Sequence, residues 1–72
     1  MNDLNLKIQD LEYKVSELKK ELRRIKTTIN KVEKLGLLLP NELVIKKDIV
    51  EVDLKEFKQE LKLFKKINEI IK

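Results

Sequence analysis

The stretch LNLKIQDLEYKVSELKKELRRIKTTINKV, residues 4–32, decides how this chain is read. Its apolar residues fall at Leu4, Ile8, Leu11, Val15, Leu18, Leu22, Ile25, Ile29 and Val32, at spacings that alternate four and three without a break. At 3.6 residues per turn this alternation holds all of them on one stripe of an α-helix. With Ile8, Val15, Leu22 and Ile29 at a and Leu4, Leu11, Leu18, Ile25 and Val32 at d, the stripe runs four full heptads, the pattern of a coiled-coil seam. The spacing predicts a helix over about residues 3–35. Asn2 or Asp3 would cap its start, and Gly36 would end it by taking a positive φ.

The chemistry of the seam favours assembly. β-Branched residues at three of four a positions, with Leu at the first three d positions, suit a parallel two-stranded coil. In that arrangement Lys7 with Glu12 and Glu21 with Lys26 attract across the interface, whereas Lys14 with Lys19 repel. No polar residue at a fixes the register, so an antiparallel coil and a helical bundle remain alternatives.

A second amphipathic segment follows. Asp53 and Glu56 have the spacing of a capping box, flanked by Val52 and Phe57 as a hydrophobic staple, which predicts a helix over about 53–71. Leu54, Phe57, Leu61, Phe64 and Ile71 share one face with Asn68, while Leu63, Ile67 and Ile70 widen the apolar arc beyond one seam. Such a helix is expected to touch two neighbours: helix 1 and a partner subunit, or the surroundings of a bundle centre. Phe57, Leu61 and Phe64 therefore join the helix 1 seam as expected oligomer-interface residues.

Between the two helices, 17 residues without order would be unusual in so small a chain. Two readings compete for residues 36–52. The favoured one is a short β-hairpin over about 43–52, with Leu43-Val44-Ile45 and Ile49-Val50-Glu51-Val52 as strands rich in β-branched residues. The other is helical, with Pro40 at a first helical position and Asp48 with Glu51 as a further capping box from which helix 2 could begin at residue 48. Leu35, Leu37, Leu38 and Leu39 are expected to fold back as core between helix 1 and the hairpin, the alternative being that they stand exposed for a partner.

Composition limits function more sharply than fold. The 72 residues carry 17 Lys or Arg and 13 Asp or Glu, with no His and no Cys. That length allows one domain, spanning 1–72, and a single core below roughly 80 residues supplies only about 3–5 kcal/mol. Disulfides and thiolate or imidazole metal sites are excluded by composition, which leaves oligomerisation or regular helix packing as the stabilising device. Ser16, Thr27 and Thr28 have no His or Cys to activate them, and one Gly cannot build a phosphate loop. Asp48, Glu51 and Asp53 lack the Gly and ligand spacing of a calcium loop. A non-enzymatic chain without cofactor or metal is the expectation. No leader-like or membrane-spanning segment is recognised, so the cytoplasm is the expected location and a membrane role is unlikely on sequence grounds.

Charge is unevenly placed. Residues 1–18 have a net charge of −2, residues 19–34 of +5, and residues 35–72 of +1. Lys19, Lys20, Arg23, Arg24, Lys26, Lys31 and Lys34 form a basic stripe on the outside of helix 1 that could follow a phosphate backbone. Only two of the seven are Arg and no aromatic residue is interleaved for base stacking. The sequence reading is thus a mainly α homo-oligomer, expected to be a dimer, serving as a scaffold or adaptor for an unidentified macromolecular partner. The alternative is a small basic DNA- or RNA-binding regulator that uses that stripe.

Overall fold

A computed structural model of the chain describes residues 3–71. Asn2, one of the two expected caps of the first helix, lies outside them. Two long helices, α1 (Asp3–Lys34) and α2 (Asn41–Ile71), run antiparallel as a helical hairpin, and no strand is present among the described residues. The helix expected over 3–35 is therefore present to within a residue. Its end is a Schellman-type cap. Gly36 takes φ 71°, its N–H reaches the Glu33 carbonyl at 3.0 Å, and the Leu37 N–H reaches the Val32 carbonyl at 3.2 Å.

The expected β-hairpin over 43–52 is not formed: the whole segment is the first third of α2. The capping box at Asp53 and Glu56 consequently sits inside a helix and does not begin one. The helix begins instead after Pro40, whose carbonyl accepts N–H groups from Leu43 at 3.1 Å and Val44 at 3.4 Å. Pro40 lacks only an N–H that a first turn does not use. The physical reason for the helix lies in the spacing. Leu43, Lys47, Val50 and Leu54 extend backwards, at four and three, the row formed by Phe57, Leu61, Phe64 and Asn68. As helix, residues 43–54 cover the second half of the α1 seam. A lone two-stranded ribbon would leave that seam wet and its own edges unpaired. Covering it outweighs a β-propensity difference that spans only about 1 kcal/mol per residue.

The core is a single line of side chains between the two helices. Ile8, Leu11, Val15 and Ile25 of α1 and Val50 and Leu54 of α2 are buried. Leu4, Leu18, Leu22, Ile29 and Val32, with Leu43, Phe57, Leu61, Phe64 and Asn68, are half-buried along the same line. Charge supports the antiparallel order. Residues 41–54 of α2 carry a net charge of −2 and run beside the +5 segment of α1, whereas residues 55–71 carry +2 and run beside the −2 segment. Two ion pairs cross between helices, Glu21 to Lys46 at 3.7 Å and Glu12 to Lys65 at 3.3 Å. Lys14 and Lys7 of α1 lie over the rings of Phe57 and Phe64, at 5.5 and 5.9 Å from the centroids.

The Leu cluster corrects a second expectation. Leu35, Leu37 and Leu38 are exposed, Leu38 at 96%, and only Leu39 is half-buried. Once residues 43–52 are helical the connection shrinks to residues 35–40, and no hairpin remains above them to form a core. The molecule is a rod of 55 × 14 × 14 Å with a radius of gyration of 16.4 Å, against about 11 Å for a compact domain of this length.

Candidate functional site

An ideal helix turns about 100° per residue, so the exposed residues of each helix can be placed on its faces. On α2, Ile45, Ile49, Val52, Leu63, Ile67 and Ile70 fall on one face, about 140° around the helix from the row that meets α1. All six are exposed, Ile45 at 56%, Val52 at 55% and Ile70 at 78%. Glu56 lies within this face, and Asp48, Gln59, Glu60 and Lys66 border it. Leu63, Ile67 and Ile70 are the residues that widen the apolar arc in the sequence reading, but Ile45, Ile49 and Val52 were assigned to strands by sequence. Their 4-3 spacing, continued to Leu63 and Ile70, was the available signal.

On α1, Lys19, Lys20, Arg23, Arg24, Lys26, Lys31 and Lys34 are all exposed; Lys20, Arg23, Arg24, Lys31 and Lys34 lie on the side away from α2, whereas Lys19 and Lys26 flank the seam beside Leu54 and Lys58 of α2. Among the described residues, none of the seven has a carboxylate oxygen within ion-pairing distance; the four ion pairs use Lys14, Lys46, Lys47 and Lys65. Lys20, Arg23, Arg24, Lys31 and Lys34 thus share the outer face, while Lys19 and Lys26 sit at its border with α2. Thr27 and Thr28 sit beside it, with their hydroxyls donating to the carbonyls of Arg23 at 2.9 Å and Arg24 at 3.0 Å. These hydroxyls satisfy the helix's own backbone, a local bond that competes with other uses of the group.

The seam residues expected at an oligomer interface line the contact between the two helices of one chain. Leu4 through Val32 face α2 of the same chain, and Phe57, Leu61 and Phe64 face them from the other side. Tyr13, at heptad position f opposite the seam, is exposed. Asp48, Glu51 and Asp53 fall on different sides of α2, Glu51 pairing with Lys47 at 3.9 Å, and no carboxylate group able to hold a metal forms among the described residues. No described helix is long and apolar enough to cross a membrane.

No protein-family model matches the chain, and no curated protein or solved structure matches it either.

Proposed function

We propose that this chain is a non-enzymatic interaction module, a scaffold or adaptor that works as an oligomer of helical hairpins. The observation that carries the reading is the exposed apolar face of α2, which holds as many large aliphatic side chains as the buried core does. Contiguous apolar surface of this kind marks a contact with another macromolecule. A hairpin with one line of core between two helices also gains stability from any chain that covers it. The two hydroxyls nearest the basic face are bonded to backbone, and the composition offers no His to activate them as nucleophiles.

Sedimentation equilibrium over a wide range of protein concentration tests the reading. Self-association is expected, and the double substitution Ile49→Glu with Val52→Glu should weaken it by at least ~10-fold. A wild-type chain that stays folded and monomeric at every concentration refutes it.

The unpaired basic face of α1 favours a second reading, a DNA- or RNA-binding regulator. Fluorescence anisotropy of a random-sequence duplex at ~50 and ~200 mM salt separates the two, because phosphate contacts weaken steeply over that range. Binding that collapses at the higher salt, and that the Lys20→Glu, Arg23→Glu, Arg24→Glu variant abolishes, supports the regulator. Absence of binding at both salts leaves the stripe as a solvated exterior.

A further inference from the structure

We propose that the outer face of α2 receives the α2 of a second copy of this chain, antiparallel to the first, about a two-fold axis passing near Phe57 and Lys58. The proposal rests on the interaction-module reading and gives it a partner and a geometry. In the resulting dimer each α2 lies between its own α1 and the α2 of the other copy.

Area is the first support. The hairpin exposes 5908 Å², whereas a compact monomer of 8.6 kDa exposes about 4,700 Å². The excess of roughly 1,200 Å² exceeds the ~800 Å² that each partner buries in a standard-size interface. A standard-size contact with one further copy would remove about two-thirds of that excess.

The pattern on the face is the second support. Three aliphatic residues, Ile45, Ile49 and Val52, occupy its first half and three more, Leu63, Ile67 and Ile70, its second half, with Glu56 and Gln59 in the middle. Reversing one copy on the other sets Ile45 against Ile70, Ile49 against Ile67 and Val52 against Leu63, each pair occurring twice. Glu56 meets Gln59 at the axis, where the amide can donate to the carboxylate. A polar pair at such a position costs some stability and fixes register. The surface is thus complementary to itself, as an isologous two-fold interface requires.

Charge selects the direction. Residues 41–54 of α2 carry −2 and residues 55–71 carry +2, so antiparallel copies place unlike halves together. Asp48 then lies alongside Lys66 of the second copy, both at the same edge of the face. Parallel copies would also bring aliphatic residues together, but they would stack like-charged halves and set Glu56 upon Glu56.

The native chain has no Cys, so single-Cys variants of the full chain report the geometry directly. Val52→Cys and Leu63→Cys replace exposed side chains, and their positions are about 16 Å apart along the helix. Each variant is refolded alone, and the two are refolded together, before treatment with a bis-maleimide shorter than that offset. The expected result is a covalent dimer from the mixture and none from either variant alone. Self-linking of Val52→Cys alone refutes the antiparallel arrangement. Self-linking of Leu18→Cys alone would show an intermolecular α1 coil and also refute it. If the wild-type chain sediments as an oligomer but the mixture gives no 52–63 link, this proposal fails while the interaction-module reading stands; a wild-type monomer removes both.

Discussion

Leu11 is the most deeply buried side chain of the hairpin, 2% exposed, and replacing it by Ala is the most direct test of where the core lies. It sits in the seam between Lys7 and Lys14, the two cations that cover Phe64 and Phe57, so its side chain is roofed by α2. Leu→Ala at buried sites costs about 2.7–5 kcal/mol, the transfer of the lost methyl and methylene groups plus a term for the cavity left behind. Two helices packed side by side can close on a void more easily than a multilayer core can, so we expect about 2.5–3 kcal/mol. A chain of 72 residues has a total stability of roughly 4–11 kcal/mol, so this one change removes a quarter to three-quarters of it. At ~4–8 °C per kcal/mol the midpoint should fall by about 10–25 °C. The control is Leu38→Ala, which trims an equally large side chain that is 96% exposed and should stay within about 0.5 kcal/mol of the parent. Far-UV circular dichroism during thermal and urea unfolding measures both variants. Protein concentration must be held fixed, because association would move the midpoint. A loss below about 1 kcal/mol for Leu11→Ala, or an equal loss for Leu38→Ala, would refute the placement of the core.

Three further outcomes can be checked by the same unfolding measurements. Gly36→Ala should cost about 1–2 kcal/mol through the left-handed backbone alone, since φ is 71° and nothing lies within 4 Å of the position a Cβ would take; a neutral change contradicts the cap. Lys47→Leu should stabilise by about 1 kcal/mol, because Lys47 is a half-buried cation in the α2 row between Leu43 and Val50, where an aliphatic side chain would continue the core; destabilisation shows that its 3.9 Å pair with Glu51 matters more than the row. A double-mutant cycle of Glu12→Gln and Lys65→Met should give a coupling under about 1 kcal/mol, because both members of this 3.3 Å pair are about half exposed and water screens them; a larger coupling would mean that the open end of the hairpin is drier than its surface indicates.

Some of this architecture was legible in the chain before any fold was known. The α1 seam from Leu4 to Val32 repeats without a miss and no Gly or Pro interrupts it before Gly36, so periodicity alone gives the helix, its length and its end. The outward part of the basic stripe, Lys20, Arg23, Arg24, Lys31 and Lys34, was equally legible, because residues that share the outer face of one regular helix stay together whatever the helix packs on. Residues 43–52 were not legible in this way. Val44, Ile45, Ile49, Val50 and Val52 have the composition of strands, and a strand and a buried helix segment cannot be told apart by apolar content over so short a run. What decided them was tertiary: residues Leu22 to Val32 of α1 offered an uncovered seam, and only a helix presents Leu43, Val50 and Leu54 to it together. That choice shortened the connection to six residues, left Leu35, Leu37 and Leu38 in solvent, and put the row with Val50 and Leu54 on the α1 seam. It also turned Ile45, Ile49 and Val52 outward beside Leu63, Ile67 and Ile70. Sequence fixes which residues share a stripe, since that depends only on the helical repeat; which stripe is covered and which is left open depends on what the chain folds against.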